Sequence, residues 1–335
     1  MAILRIKISI GYLIMDNLNF YNLIDDKIIE DKEIVDNLES SIQKKINSKH
    51  LYDEKGSKLF EKITNLVDYY PTRSELEILD QKSIFKKNLP ERASVIEFGS
   101  GSNKKVKKLL EALNNPKEYI PIDISYEFLK TNAEEFAEKF PTIKVKAVCA
   151  DLNKLSSLQK IIEHKSRNLG FFPGSTIGNF CPQDAKKLLK KFAKILGKNN
   201  YLVIGVDLRK DIKIMEKAYN DSEGITAQFN KNILLGINKK TGAKFDANSF
   251  DHLAYFNNEK KRIEMHLISK ENQTVNVSNR KIRFEKGETI HTENSYKYSE
   301  EEFKELCILS GYKIVDFLTD KNKYFGVFFL RVDKF

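Results

Sequence analysis

From Ser94 onward, the spacing of apolar and polar positions switches repeatedly between the period of a strand and that of a helix. The short apolar runs SVIEF, YIPIDI, KVKAVCADL, GFFPGSTIGN and YLVIGVDL predict five strands. Between them, KKVKKLLEAL, SYEFLKTNAEEFAEKF and DAKKLLKKFAKIL have helical spacing, with Ser125 as the expected N-cap of the second helix. Such alternation predicts an α/β fold with a doubly wound parallel sheet and a ligand site at the carboxyl ends of its strands.

The regular alternation stops after Asp207, and residues 208–295 show mixed patterning. A capped helical segment, SEEEFKELCILSG, then precedes two strands, YKIVDFLT and YFGVFFLRV, joined by the turn DKNK. A helix followed by an antiparallel pair is similar to the end of the Rossmann-like sheet in class I S-adenosylmethionine (SAM)-dependent methyltransferases. This resemblance implies a SAM-binding core at 73–207 and 296–335, with 15–72 and 208–295 forming a second, substrate-binding lobe.

The composition is that of a folded, soluble protein. The chain has 335 residues, 41% of them hydrophobic and 31% charged, which excludes disordered, fibrous and small disulfide-stapled classes. Cys149, Cys181 and Cys307 lie far apart without a CxxC pair, which argues against a disulfide framework and a zinc cluster. We therefore expect a reducing, cytoplasmic setting. No apolar run approaches the roughly 20 residues that cross a bilayer, so we expect no membrane association.

The N-terminal segment differs in character from the rest of the chain. Residues 1–14, MAILRIKISIGYLI, are apolar and weakly basic, like a truncated signal peptide, but no small-residue cleavage site follows them. We expect a disordered, dispensable leader upstream of Met15, and a targeting segment remains the alternative.

An excess of lysine raises the question of a nucleic-acid partner. The chain has 57 Lys+Arg against 47 Asp+Glu, a formal net charge of +10. Clustered cations would bind phosphates, but these lysines are spread along the chain and interleaved with acids, as in residues 134–139. We therefore expect a solvated basic surface, no nucleic-acid partner and a monomer.

The loop after the first predicted strand, EFGSGSN, carries the first chemical signal. Gly99 and Gly101 let the backbone approach a ligand, and the helix that follows points N–H groups at it. Asn103 stands in the stretch where GxGxxG has its third glycine, which counts against a pyrophosphate-binding site. Asp123 and Asp151 end the second and third predicted strands, where they can bond ribose hydroxyls and an adenine amino group. Together these features predict an adenosyl site, and a plain turn with two surface acids is the alternative.

A second block, YDEKGSKLF followed by DYYPTR, concentrates aromatic and ionic residues just before the sheet begins. Neutral tyrosines offer a donor and an acceptor beside an aromatic wall, which suits an amino acid and a sulfonium methyl group. Tyrosines that merely pack between the lobes are the alternative.

Eight ordered blocks identify a family. YDEKGSKLFEKIT with DYYPTR, VIEFGSGSNKK, YIPIDIS, FPGSTIGNF, GVDLRKD, AYNDSEGITAQFNKN, IEMHLIS and HTENSYKY resemble the L-histidine Nα-methyltransferases of ergothioneine biosynthesis, from about Leu51 to the C-terminus. The resemblance implies SAM as the cofactor, with L-histidine and its mono- and dimethyl forms as substrates. It implies hercynine, the trimethylated betaine, as the product and the first intermediate toward ergothioneine.

The resemblance also implies individual roles at the cofactor end. The implied cofactor residues are Tyr52, Gly99, Lys105, Asp123, Asp151 and Gly174. Gly99 and Lys105 match positions that hold the methionine moiety, whereas Asp123 and Asp151 match the ribose and adenine contacts. Tyr52 matches a catalytic tyrosine between cofactor and substrate amine.

The implied substrate residues are Phe60, Tyr69, Asn179, Tyr219, Met265, Glu293 and Ser295. Asn179, the second catalytic residue, matches the ligand of the amino and carboxylate groups, and Tyr219 binds the same carboxylate. Tyr69, Glu293 and Ser295 match the imidazole-binding set, with Phe60 and Met265 as apolar walls.

The imidazole assignment also makes chemical sense by itself. A carboxylate and a hydroxyl two residues apart on one strand face, as in Glu293 and Ser295, can satisfy both ring nitrogens. A charge-assisted bond contributes about 1.5–3 kcal/mol, which favours histidine over phenylalanine by roughly ten- to a hundredfold. A solvated strand acid is the alternative for Glu293.

A metal site and two other functions are less well supported by the sequence than histidine methylation. We expect no metal site, because the histidines are isolated and lack ligand spacing: His50, His164, His252, His266 and His291. The nearest rival function is a same-fold N-methyltransferase acting on another aromatic amino acid or amine, such as the indole substrates of related fungal enzymes. An RNA-binding methyltransferase is a more distant rival.

Overall fold

A computed structural model describes residues 16–24, 27–162 and 167–334. The predicted leader at residues 1–14 and His164 lie outside the described residues. Within the described ranges, no helix combines the length and the apolar character needed to span a bilayer.

The secondary structure follows the chain from a short N-terminal strand to a C-terminal antiparallel pair. The helices are α1 (Lys27–Leu38), α2 (Glu54–Ile63), α3 (Tyr70–Leu79), α4 (Lys82–Asn88), α5 (Lys104–Ala112), α6 (Tyr126–Lys139), α7 (Pro182–Leu196), α8 (Ile212–Lys217), α9 (Ile225–Thr241) and α10 (Glu300–Leu309). The strands are β1 (Leu18–Asn22), β2 (Lys44–Lys45), β3 (Ser94–Phe98), β4 (Glu118–Asp123), β5 (Lys144–Cys149), β6 (Asn168–Phe172), β7 (Tyr201–Asp207), β8 (Phe250–Asn257), β9 (Arg262–Ser269), β10 (Gln273–Val277), β11 (Arg280–Phe284), β12 (Thr289–Tyr296), β13 (Tyr312–Thr319) and β14 (Phe325–Val332).

A large, mainly parallel sheet forms the core. Among the described strands its order is β1-β5-β4-β3-β6-β7-β14-β13, and pairing is parallel from β1 to β7. β14 then runs antiparallel to both β7 and β13. Strands β3 and β6 are buried along their whole length, as apolar runs in a sheet covered on both faces should be. The predicted α/β methyltransferase sheet with an antiparallel end is confirmed.

The first strand corrects the predicted division into lobes. Residues 15–72 were assigned to the second lobe, but Leu18–Asn22 pairs in parallel with β5 in the core sheet. Without β1, strand β5 would be the edge of the sheet with unpaired backbone groups on its outer side, and β1 supplies their partners. The Asn17 amide reinforces the contact by donating to the carbonyls of Ala137, Phe140 and Ile143 at the end of α6. The rest of the division remains a prediction.

Two predicted strands end earlier than their sequence patterns indicate. The third stops at Cys149, so Asp151 lies in the loop beyond it rather than at its end. The fourth stops at Phe172, because Pro173 lacks an N–H group. Gly174 (φ 78°) and Ser175 (φ 57°) then turn the chain into a 3-10 helix at Thr176–Asn179. This turn places Asn179 at the carboxyl edge of the sheet.

The two predicted helix caps have different outcomes. Ser299 forms a reciprocal capping box with Glu302 at the start of α10, with N···O distances of 3.2 and 3.0 Å. Ser125 stands at the N-cap of α6, but its side chain makes no capping bond to any described backbone group. Its backbone N–H instead donates to Asp123 Oδ1 at 2.9 Å, which links the helix start to a predicted cofactor residue.

Residues with mixed patterning form a second sheet with its own apolar core. The described strands pair in the order β2-β12-β9-β8, beside the hairpin β10-β11. Helices α2 and α9 contribute to the same cluster, for example through Leu59 and Ile233. The core sheet has separate clusters on its two faces, around Phe192 and Phe136. The second sheet therefore carries three of the predicted substrate residues, Met265, Glu293 and Ser295, on a separately packed layer.

Candidate active site

A cavity of about 730 Å³ lies where the carboxyl ends of the core strands face the second sheet. Every residue that the sequence suggested for cofactor or substrate lines it: Tyr52, Phe60, Tyr69, Gly99, Lys105, Asp123, Asp151, Gly174, Asn179, Tyr219, Met265, Glu293 and Ser295. At one end, Gly99, Asp123, Asp151 and Gly174 lie at or just after the carboxyl ends of β3 to β6, and Lys105 lies at the start of α5. At the other end, Met265, Glu293 and Ser295 come from β9 and β12. The cavity therefore has two chemically distinct ends.

At the cofactor end, a glycine loop is tied to the carboxylate of Asp123. Gly99 and Gly101 have φ angles of 70° and 50°, which favour glycine. The Gly101 N–H donates to Asp123 Oδ2 at 3.2 Å, and Ser125 binds the other oxygen. Burial raises the pKa of Asp123, and the two backbone N–H groups oppose that shift. The loop and the carboxylate thus form one preorganised unit that can accept hydrogen bonds from ribose hydroxyls.

Asp151 follows the neighbouring strand, β5, and is partly exposed. Its Oδ1 accepts the N–H of Asn153 at 2.8 Å, and the carboxylate can accept further hydrogen bonds. Because β4 and β5 are adjacent parallel strands, Asp123 and Asp151 lie at the same edge of the sheet. This set of glycines and carboxylates fits the adenosine half of SAM.

A buried glutamate, Glu75, holds the rest of the cofactor end and was not suggested by any sequence pattern. Lys105 Nζ lies 2.7 Å from Glu75 Oε2. The Gly174 N–H donates to both Glu75 oxygens, at 3.1 and 2.9 Å. A Cβ at Gly174 would lie 3.2 Å from Lys105 Nζ, and one at Gly205 would lie 2.1 Å from Glu75. Two glycines therefore make room for the Lys105–Glu75 pair, whose ammonium group suits the methionine carboxylate of SAM.

At the substrate end, Tyr52 and Glu293 are hydrogen bonded. The Tyr52 hydroxyl donates to Glu293 Oε1 at 3.3 Å, and its ring packs edge-on against Phe60 and Phe229. Burial raises the pKa of Glu293 to about 7, against smaller lowering effects of Tyr52 and Lys297. Burial also raises the pKa of Tyr52 well above its usual value, so this phenol is neutral. The Asn179 side chain has a smaller, opposite effect and lowers the pKa of Tyr52.

Beside Glu293, a hydroxyl pair rests on a buried ammonium group. Tyr219 OH and Ser295 Oγ lie 2.8 Å apart. Lys297 Nζ donates to Ser295 Oγ at 2.7 Å, to Tyr219 OH at 3.0 Å and to Asp207 Oδ2 at 2.6 Å. No sequence pattern predicts a role for Lys297 or Asp207, although Glu293, Ser295 and Lys297 occupy alternate positions of one extended segment.

Asp207 anchors this arrangement from the end of β7. Its carboxylate accepts hydrogen bonds from Tyr70, Lys210 and Lys297. Burial alone would raise the pKa of Asp207, but the two lysine charges outweigh it and lower the pKa. The backbone supports the pairing, because the N–H of Tyr298 donates to the Asp207 carbonyl at 3.3 Å. The substrate end is thus braced by the core sheet.

Known proteins with similar sequences include histidine methyltransferases. The chain matches the family described as "Histidine-specific methyltransferase, SAM-dependent" over residues 30–332. The protein belongs to this family. A histidine N-alpha-methyltransferase of Mycolicibacterium smegmatis is 35% identical over 289 residues, covering 85% of this chain and 89% of that protein. Ergothioneine biosynthesis protein 1 of Schizosaccharomyces pombe is 30% identical over 295 residues, covering 84% of this chain and 38% of that protein.

Among solved structures, a SAM-dependent methyltransferase from Clostridium acetobutylicum covers 84% of this chain and 98% of that chain, with 14% identity and a TM-score of 0.48. Membership of the histidine-specific methyltransferase family confirms the predicted family, enzyme class and SAM cofactor. The roles of individual residues in binding remain predictions.

Two histidines of this histidine-specific methyltransferase are not isolated as predicted. Because β9 and β12 pair with His266 opposite His291, the two rings stack at 4.7 Å with an interplanar angle of 17°. Their nitrogens and a Glu264 oxygen lie within 4.8 Å of one another. However, Glu264 already accepts hydrogen bonds from Arg262, Tyr255 and His266. Because the two imidazole rings are nearly parallel, their nitrogen lone pairs lie in parallel planes and do not converge on one point. Glu264, His266 and His291 therefore fit a hydrogen-bonded cluster that supports β12, the strand that carries Glu293 and Ser295.

Proposed function

We propose that this protein transfers methyl groups from SAM to the α-amino nitrogen of L-histidine, three in succession, giving hercynine for ergothioneine biosynthesis. Family membership supports the substrate and the cofactor. The observation that carries the proposal is that Glu293 and Ser295 line the same cavity as Gly99 and Asp123. An imidazole-binding pair and an adenosyl-binding loop therefore share one enclosed space.

Alignment supplies most of the catalysis in this proposal. When bound, SAM supplies an electrophilic methyl group on a sulfonium, and transfer to nitrogen is an in-line displacement that needs a neutral amine. Holding the reacting groups in line is worth a large part of the barrier. Gly99 and Lys105 hold the methionine end, Asp123 the ribose and Asp151 the adenine. The aromatic wall of Tyr52 and Phe60 keeps water from the transfer path.

Two residues act on the substrate amine. Tyr52 stays neutral, because burial raises its pKa, so its hydroxyl can exchange hydrogen bonds with an amine. Asn179, which lines the same cavity as Tyr52, orients the amino and carboxylate groups. Before each transfer the ammonium group gives up its proton to water at this polar site, which leaves the neutral amine that accepts the methyl group.

Repeated methylation follows from anchoring the substrate at both ends. Glu293 and Ser295 hold the ring, Tyr219 is hydrogen bonded to Ser295, and Asn179 holds the carboxylate. The nitrogen between these anchors stays free to turn, so each methyl group already added can rotate away from the cofactor. Tyr69, Phe60 and Met265 enclose the ring with apolar surface.

The proposed setting is a monomer in the cytoplasm. The three cysteines are free, as is usual in a reducing compartment.

The test is incubation of the purified protein with SAM and each common amino acid, followed by mass measurement. We expect histidine to gain one, two and three methyl groups and the other amino acids to stay unchanged. An unmodified histidine beside another methylated amino acid would refute the substrate and favour the rival N-methyltransferase.

A further inference from the structure

Lys297 is a buried lysine in the wall of the substrate end, with its side chain fully inaccessible. An ammonium group has three N–H donors and no acceptor. Those of Lys297 reach Asp207 Oδ2, Tyr219 OH and Ser295 Oγ at 2.6, 3.0 and 2.7 Å. All the donors are therefore used inside the protein, and two of them go to hydroxyl groups predicted to bind substrate.

Hydrogen counting fixes the polarity of this hydroxyl pair. Tyr219 and Ser295 each have one O–H proton, and one of them donates across their 2.8 Å contact. Each oxygen also accepts an N–H from Lys297. Whichever hydroxyl donates to the other, one proton is left over, and because both side chains line the cavity, this proton is available to a ligand there. The pair therefore presents a donor to the ligand.

Charge reinforces this polarity. Lys210 and Lys297 face the single carboxylate of Asp207, so these three groups together carry one positive charge. Burial lowers the pKa of Lys210 to about 8, which leaves it mostly protonated at neutral pH. Burial also raises the pKa of Tyr219, which keeps it neutral. A positive charge behind the hydroxyls strengthens them as donors and disfavours a cation in front of them.

We propose that Lys297 is a specificity-determining positioning residue that makes the Tyr219–Ser295 pair a hydrogen-bond donor toward the substrate ring. The site then accepts a ring with a bare acceptor nitrogen, the neutral imidazole, whose N–H faces Glu293. Rings without such a nitrogen leave the donated proton unpaired, which is costly in a buried site. This inference rests on the proposed function and deepens it.

The direct test is Lys297→Met, which keeps the length of the side chain but removes its charge and N–H groups. We expect the KM for histidine to rise about ten- to a hundredfold, with a smaller change in kcat. The Kd of histidine, measured calorimetrically with S-adenosylhomocysteine bound, should rise by the same factor as the KM. The Kd of SAM should stay unchanged. Lys313→Met, at a half-exposed lysine on β13, is the matched control. It should leave the KM and the Kd of histidine unchanged.

A double-mutant cycle separates positioning from general support. If Lys297 acts through Ser295, then Lys297→Met should change the histidine Kd by less than about twofold in a Ser295→Ala background. A loss as large as in the wild-type background would overturn the proposal. An unchanged histidine Kd in folded Lys297→Met protein would also overturn it.

A second variant covers failure to fold. Asp207→Asn combined with Lys297→Met removes both charges of the pair and keeps the net charge of the cluster. If this double variant loses as much histidine affinity as expected for Lys297→Met, the role of Lys297 is supported. If it binds histidine as tightly as the wild type, the role is contradicted. A wild-type protein that leaves histidine unmodified would instead refute the proposed function, so the two failures are distinguishable.

Discussion

The carboxyl group of Glu293 changes charge near neutral pH, because burial raises its pKa to about 7 against the smaller effects of Tyr52 and Lys297. Below that pH the protonated group is a weaker acceptor for the N–H of a neutral imidazole. We therefore expect kcat/KM for histidine to fall as the pH drops through about 7, approaching tenfold per pH unit for this single group. A pH profile of kcat/KM measures the effect.

Glu293→Gln is the control for this pH dependence. It keeps the shape of the side chain but cannot titrate, so the limb near pH 7 should vanish. The pH dependence that remains belongs to the substrate, whose imidazole and α-ammonium groups titrate at about 6.5 and about 7.7–8.0 in any variant. We also expect kcat/KM to be about ten- to a hundredfold lower, because an amide is a weaker acceptor than a carboxylate. A variant that keeps the limb near pH 7 would show that another group causes it.

At the residue scale, the sequence predicted site residues where the interacting side chains stand within one short block. Glu293 and Ser295 stand two positions apart in HTENSYKY, so strand alternation alone could pair them. The same alternation reaches Lys297, but its partner Asp207 lies 90 positions away. Glu75 gave even less signal, because it contacts Gly174 from 99 positions away and sits in an ordinary amphipathic helix. Such pairs exist only through tertiary packing.

At the scale of elements, periodicity predicted the core strands and helices but not their ends. Pro173 and the positive φ of Gly174 end β6, although GFFPGSTIGN reads as one apolar run. The strand at Leu18–Asn22 was missed because its pairing with β5 is remote in sequence. The second sheet also escaped prediction, because strands such as β8 alternate only partly between buried and exposed positions.

Two serines at helix starts allow a matched test of capping. Ser299 makes a reciprocal capping box with Glu302, whereas Ser125 makes no side-chain capping bond to described backbone groups. Ser299→Ala should therefore lower the free energy of unfolding by about 1 kcal/mol. Ser125→Ala should change it by less than about 0.5 kcal/mol. Denaturant titrations of the two variants compare them directly, and equal losses would contradict a capping role specific to Ser299.

At the scale of the whole molecule, neither sheet contains the complete site. Gly99, Asp123 and Asp151 follow strands of the core sheet, whereas Met265 and Glu293 lie on the second sheet. The two layers have separate apolar cores, so apolar packing within each layer does not by itself join them. The buried contact between Asp207 and Lys297 does join them, at the point where the substrate ring is proposed to bind.

Because both sheets form the wall of one cavity, ligands should stabilise them as one unit. S-adenosylhomocysteine at a hundredfold excess over its Kd should raise the free energy of unfolding by about 2.7 kcal/mol. Histidine added to that complex should raise it further, whereas Lys297→Met should respond to S-adenosylhomocysteine but only weakly to histidine. Scanning calorimetry should show a single transition that moves upward with each ligand. Two transitions, each responding to one ligand only, would mean that the sheets unfold independently and that their shared cavity does not couple them.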